Sequence, residues 1–284
     1  MSLVKVKDIL EHATENRYGV AAINTINYET IHCAILAAER EKVPIIIQFY
    51  PGFDKYCPLN FISYMAKDLA RKASVPVGVH LDHSATYDIA VSGIRDGFPS
   101  IMVDGSTMPY EENIATTTAV VKIARVFGID VEAELGHVGV GSKLDDIINK
   151  DCYTNVKQAV EFVERTGCDS LAIAVGSAHG NYIQKPNLDF DRIRKIRSAV
   201  SIPLVLHGCS GIPDEQMKEA VNLGLSKFNI ATEYFNSMYR SMENQIKNEN
   251  LDGNGVELLF GMQENMIDFV ISKIRLLNPN KFSL

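Results

Sequence analysis

The stretch VGVHLDHSA, residues 77–85, decides the fold. Val77, Val79 and Leu81 give it the apolar character of a strand buried in an α/β protein. It then places Asp82 and His83 side by side and passes at once into the small residues Ser84 and Ala85. Side chains alternate along a regular strand, so neighbours do not share a face. At a strand's end that constraint lapses, and both can turn to the rim. An apolar strand ending in chemistry points to a barrel whose catalytic groups sit at strand C-termini.

The pattern recurs along the chain. Short apolar runs ending in a polar residue or glycine are VAAIN (20–24), PIIIQF (44–49), PVGVHLDH (76–83), SIMVDG (100–105), DVEAELG (130–136), SLAIAVG (170–176), PLVLHG (203–208) and KFNIAT (227–232). Amphipathic stretches separate them, at about 28–41, 59–73, 86–96, 110–127, 154–167, 189–199 and 213–223, with more helix after 233. Pro44, Pro76 and Pro203 sit where strands begin, a position that tolerates a missing N–H. Eight strands alternating with helices predict an α/β fold, a (β/α)8 TIM barrel. It is expected to fill residues 1–284 as one domain with a C-terminal helical extension. A doubly wound open sheet is the alternative, but no GxGxxG follows the first strand.

Composition narrows the function classes. The 284 residues suit one barrel, which needs roughly 250. A net charge of −7 argues against nucleic acid or an anionic membrane surface as the main partner. Cys33, Cys57, Cys152, Cys168 and Cys209 are odd in number, widely spaced and without a CxxC, so a reducing cytoplasm is the expected location. MSLVKVKDIL lacks a signal-peptide core, and no run approaches the ~18 apolar residues of a membrane span.

Reading only the strand ends gives Asn24, Asp82 and His83, Asp104, Glu132 and Glu134, then His179 beyond strand 6, His207, and Asn229 with Thr232. Three of the seven histidines fall there. His12 and His32 lie in helical stretches, His137 begins a loop, and His80 is expected to face the helix layer. A lone strand-end histidine is ordinarily a hydrogen-bonded structural residue, but three converging on one rim change that reading. Three imidazoles are a sufficient protein shell for a catalytic Zn²⁺, and zinc suits imidazole better than magnesium does. Glu134 and Asp104 are candidates for alternate ligands, or for acceptors that hold the imidazole tautomers. Asp82 beside His83 is the candidate general acid and base. The bland reading of Asp82 is a helix N-cap, a role that Ser84 or Thr86 can also fill.

Two loops suggest a phosphate site. HGCSGIPDEQ (207–216) and NIATEYF (229–235) each run into a helix start. Loops after strands 7 and 8 are the usual barrel phosphate site, and helix N-termini favour anions. Ordinary turn chemistry is the competing explanation for the glycines. In GSAHGNY (176–182), Gly180 lies directly beyond a proposed ligand.

Taken together, HLDHS (80–84), IMVDGS (101–106), VEAELG (131–136), GSAHGNY (176–182), PLVLHGCSG (203–211) and NIATE (229–233) resemble the class II, zinc-dependent ketose-bisphosphate aldolases, in the tagatose- and fructose-bisphosphate branch. YTN (153–155) and FVERTGCDSLAIAVG (162–176) add to the resemblance, which spans about residues 4–275. It implies reversible cleavage of a ketose 1,6-bisphosphate to dihydroxyacetone phosphate and glyceraldehyde 3-phosphate. By matched position it implies zinc on His83, His179 and His207, with Asp82 acting on the C4 oxygen. Asp104 and Glu134 match an alternate metal position. Substrate contacts are implied at Asn24, Gly180, Gly208, Cys209, Ser210, Asn229, Ile230, Ala231 and Thr232. The resemblance also implies a homo-oligomer, dimer or tetramer, and a monovalent cation (Na⁺ or K⁺) near the phosphate. No imine-forming lysine is needed, and Lys227 is expected to open strand 8 at the wrong end for one.

The sequence departs from the family pattern in four places. GHVGVGSKLDD (136–146) replaces the usual loop after strand 5, with Asp145 or Asp146 as the expected proton-exchanging acid. FYPGFDKY (49–56) lacks a small Ser/Gly-rich phosphate contact. INTIN (23–27) replaces the commoner Phe-Asn pairing, and Cys209 stands where Ala is usual. Tagatose, fructose and other phosphorylated keto-sugars stay open as substrates. A metal-dependent barrel hydrolase and an inactive sugar-phosphate-binding barrel are the rival functions.

Overall fold

A computed structural model of the chain describes residues 2–143, 149–248 and 254–284. Its strands β1 (Val20–Asn24), β2 (Ile45–Phe49), β3 (Val77–Ser84), β4 (Ser100–Val103), β5 (Asp130–Leu135), β6 (Ser170–Ile173), β7 (Leu204–Leu206) and β8 (Leu225–Ile230) close into one barrel in sequence order. Every neighbouring pair is parallel, and β1 pairs with β8 to complete the ring. The architecture is a (β/α)8 barrel, as the alternation predicts.

Helices α1 (Val6–Asn16), α2 (Tyr28–Glu41), α3 (Leu59–Lys72), α4 (Tyr87–Arg95), α5 (Tyr110–Val126), α6 (Val156–Thr166), α7 (Phe190–Ala199) and α8 (Asp214–Asn222) precede β1 to β8 in turn. After β8 come α9 (Thr232–Asn248), α10 (Gly255–Gly261) and α11 (Gln263–Leu277). Helix α11 packs on α2, burying Met266, Ile267, Val270 and Ile274. Helix α1 crosses the lower mouth, where Val6, Ile9 and Leu10 form an apolar floor with Ala22 and Ile46. Gly78 lets that floor close, since a Cβ there would crowd Val6.

Above the floor the barrel interior turns polar. The register sets Asn24 beside Gln48 and Gln48 beside His80 in one layer. Val77, Val79 and Leu81 instead join the large core between strands and helices. His80 therefore faces inward, contrary to the expectation of a helix-layer histidine. It is fully buried, with Nδ1 2.8 Å from Ser100 Oγ. The cause is strict alternation: with Leu81 packed outward over Gly93 of α4, both its neighbours must point inside.

Candidate active site

Strand β3 continues through Ser84, so Asp82 and His83 do not lie beyond its end. They share the rim because the strand is irregular there. Its register with β4 shifts between Leu81 and Ser84, and His83 adopts φ 51°, the left-handed region that a residue with a Cβ rarely enters. Such strain persists only where the surroundings enforce it, and it is common at functional sites. Asp82 is not a helix cap: the Thr86 hydroxyl accepts from the Ile89 N–H at the start of α4.

Three imidazoles converge on this rim. One ring nitrogen from each of His83, His179 and His207 lies within 4.8 Å of the others. His207 Nδ1 is 2.9 Å from His83 Nε2, and the His83 and His179 ring centres are 4.8 Å apart. The outer nitrogens of His83 and His207 are held from behind. Asp104 Oδ2 lies 2.8 Å from His83 Nδ1, and the Ser106 hydroxyl donates to Asp104 Oδ1 at 2.7 Å. Glu132 Oε1 lies 2.9 Å from His207 Nε2. These carboxylates fix ring orientation and turn the free nitrogens toward one another. His83, Asp104 and Glu134 form a second donor group of the same compactness, sharing His83 with the first.

The donor set fits a divalent cation. His179 Nε2 and Glu134 Oε2 are buried at this rim without a hydrogen-bond partner among the described residues, and orphaned buried polar atoms are costly unless something satisfies them. Burial, then the adjacent His83, pushes the His179 pKa down to about 4. The same two causes hold His207 well below the ordinary imidazole range. Both rings are thus kept neutral, the form that ligates metal. Burial disfavours charge on His83 too, but Asp82 and the hydrogen bond with Asp104 outweigh it and push its pKa up to about 10. A bound cation would take the place of that proton. Burial and then Asp104 hold the Glu134 carboxyl well above the usual range.

Asp82 lies beside this cluster, its Oδ1 4.0 Å from His83 Nε2. Its Oδ2 accepts from Asn24 Nδ2 at 3.0 Å and Gln48 Nε2 at 3.2 Å, and its Oδ1 accepts from Asn229 Nδ2 at 3.1 Å. Burial works against its charge, but the fields of His83, His207 and Lys227 outweigh it and lower its pKa. The result is an ionised carboxylate held by three amides, ready to accept a proton.

Beneath the cluster lies a pair that sequence reading did not foresee. Lys227 is the third residue of β8 and points into the barrel, where its Nζ lies 2.7 Å from Glu132 Oε2, both groups fully buried. It is a support for the Glu132–His207 contact rather than a residue at the wrong end of its strand. Their 95-residue separation hides the pairing. Lys227→Met would leave the Glu132 charge buried and uncompensated, with an expected loss of about 3–5 kcal/mol of stability. Denaturant melts check this, and Lys227→Met combined with Glu132→Gln should recover part of the loss. A single variant as stable as wild type contradicts the pairing's role.

The predicted substrate loops meet this rim at a cavity of about 440 Å³. Asn24, Gly180, Gly208, Ser210, Asn229, Ala231 and Thr232 line it. Cys209 and Ile230 do not: both are buried in the strand–helix core, and the Cys209 thiol turns to the Leu206 carbonyl. Gly208 has φ 65°, and a Cβ there would overlap the Ala178 carbonyl, so the loops after β6 and β7 meet backbone to backbone. Tyr182 ties them together, its hydroxyl accepting from Ala178 N–H and donating to the Gly208 carbonyl. Sequence reading missed this strap, and it missed the cavity walls Tyr50, Phe53, Val138 and Phe235. The expected acid at Asp145 or Asp146 lies outside the described residues.

A parallel barrel that gathers three imidazoles and a carboxylate on its C-terminal rim defines a metal-dependent barrel enzyme. Residues 4–281 match the family model described as fructose-bisphosphate aldolase class-II. The chain is 45% identical over 221 residues to YdjI of Escherichia coli (strain K12), covering 78% of this chain and 80% of that protein. It is 41% identical over 239 residues to the fructose-bisphosphate aldolase of Geobacillus stearothermophilus, covering 82% of each. The crystal structure of the Escherichia coli K12 YdjI aldolase superposes with a TM-score of 0.87 at 37% identity over 97% of both chains. A fructose-1,6-bisphosphate aldolase structure from Coccidioides immitis, described as putative, gives 0.86 at 29% identity over 96% of both. The chain belongs to the class II fructose-bisphosphate aldolase family and is an aldolase, a lyase. Among the described residues no helix is long and apolar enough to cross a membrane.

Proposed function

We propose that the protein is a zinc-dependent aldolase that cleaves a phosphorylated ketose between C3 and C4, releasing dihydroxyacetone phosphate and an aldehyde. The observation that carries this reading is the convergence of three imidazole nitrogens within 4.8 Å, beside an ionised carboxylate held by three amides. His83, His179 and His207 would hold zinc. When bound there, zinc supplies Lewis-acid stabilisation of the negative charge that develops on the triose half.

The chain's own residues do the rest. In cleavage, Asp82 accepts the proton of the C4 hydroxyl. The C4 oxygen then forms the aldehyde carbonyl as the C3–C4 bond breaks, and the bonding pair passes to C3 of the triose half, which takes up a proton to leave as dihydroxyacetone phosphate. The family resemblance assigns that proton's donor to Asp145 or Asp146. In condensation C3 first gives up its proton by the same route, and Asp82 returns the C4 proton to the new hydroxyl. Asn24, Gln48 and Asn229 aim the carboxylate, while Asp104 and Glu132 fix His83 and His207. Gly180, Gly208, Ser210, Ala231 and Thr232, with the start of α9, offer backbone N–H groups and a positive helix end to one phosphate. The five unbridged cysteines support a reducing compartment.

Dialysis against a chelator should abolish release of dihydroxyacetone phosphate from phosphorylated ketoses, and one equivalent of Zn²⁺ should restore it. Full turnover by the metal-free protein contradicts the zinc assignment.

A further inference from the structure

Ala178 precedes His179 in the chain, and Gly208 follows His207, so each adjoins a proposed metal ligand. Strands β6 and β7 pair in register at Leu171 with Leu204 and at Ala172 with Val205. Past those pairs each strand runs out into its loop, and the Tyr182 hydroxyl joins the two loops. It accepts from the Ala178 N–H at 2.6 Å and donates to the Gly208 carbonyl at 2.9 Å. Burial pushes the Tyr182 phenol up from its ordinary range, so it keeps the proton that it donates.

The Tyr182 ring meets the far end of the same loop. A Cβ on Gly211 would lie 3.0 Å from Tyr182 Cδ2. The hydroxyl therefore holds the first residue of the Gly208–Gly211 turn, and the ring lies close against the last. Between them the Cys209 N–H donates to the Asn229 carbonyl at 3.1 Å, and the Ser210 hydroxyl accepts from the Glu233 N–H at 3.2 Å in the first turn of α9. On the other side, the His179 N–H and carbonyl bond Gly139 and Gly141, and the Ile183 N–H donates to the Gly141 carbonyl at 3.1 Å. Tyr182 lines a separate polar recess with Gly180 and Ser210, and it reaches the catalytic cavity through backbone.

We infer that Tyr182 is a positioning residue that couples the metal centre to the phosphate cradle. One hydroxyl sets the residue before His179 and the residue after His207, and with the latter the loop that receives phosphate. This rests on the aldolase reading and goes beyond it by making the two subsites one mechanical unit. Loosening the support behind metal ligands typically costs about 10–100-fold in metal affinity, and support given through adjoining backbone belongs at the lower end. A less well-formed phosphate loop weakens ground state and transition state alike, which raises KM and spares kcat.

Tyr182→Phe tests this, because it removes the hydroxyl and keeps the ring. Gln216 of α8 still bonds the Leu188 N–H and the Pro186 carbonyl, so the outer ends of the loops stay joined and the fold should survive. Zinc titration of the metal-free full chain against a chromophoric chelator should give a Kd about tenfold weaker than that of wild type. With zinc saturating, solvent hydrogen exchange into dihydroxyacetone phosphate should show KM raised about tenfold and kcat within about threefold of wild type. A lower melting temperature with wild-type zinc Kd and KM makes Tyr182 a brace of the fold and overturns the inference, as does a Tyr182→Phe chain that does not fold. A change in zinc Kd alone, or in KM alone, overturns the coupling. Wild type that takes up no zinc, or that exchanges no hydrogen with zinc bound, overturns the aldolase reading instead.

Discussion

Asp82→Ala is expected to keep its zinc and to lose turnover by about 10²–10⁴, the usual contribution of a positioned general acid–base group. The side chain does not belong to the three-imidazole group, so metal content should stay at wild-type stoichiometry. Its loss removes the acceptor for the C4 proton and leaves the Asn24, Gln48 and Asn229 amides facing an empty space that water can enter. KM should change little beside kcat, because the carboxylate acts on a proton in transit rather than on the phosphate. Steady-state kinetics with parallel metal analysis checks this. Normal turnover in Asp82→Ala would rule out its role in proton transfer.

His179→Ala is expected to abolish stoichiometric zinc binding and lower activity to background. This histidine is the cleanest of the three to remove. Its Nε2 has no hydrogen-bond partner among the described residues, whereas His83 and His207 are each tied to a carboxylate. The loop that carries it is held by its backbone, with His179 N–H donating to the Gly139 carbonyl and Gly141 N–H donating to the His179 carbonyl. The metal-free variant should therefore melt close to metal-free wild type. Zinc should raise the melting temperature of wild type by mass action and leave the variant unchanged. Equal zinc stabilisation of the two proteins would remove His179 from the metal shell.

Much of this was legible in the chain. β1 and α2 have the bounds that hydrophobic periodicity predicts, because both are regular and well delimited. His83, His179 and His207 could be picked out because a barrel carries its strand ends to one rim. What stayed hidden depends on three-dimensional detail. The shared rim of Asp82 and His83 turns on a register shift and one left-handed residue, neither of which a residue pattern encodes. The Lys227–Glu132 support and the Tyr182 strap join groups far apart in sequence. Cys209 and Ile230 sit inside motifs of the phosphate loops, yet alternate residues of such loops turn back into the core.

The central claim is that His83, His179 and His207 grip a single divalent ion. Zinc K-edge X-ray absorption on the protein loaded with one equivalent tests it most directly. The expected spectrum shows a low-coordinate N/O shell near ~2.0–2.1 Å with outer-shell scattering from three imidazoles. A sulfur shell, or scattering from one imidazole or none, would contradict it.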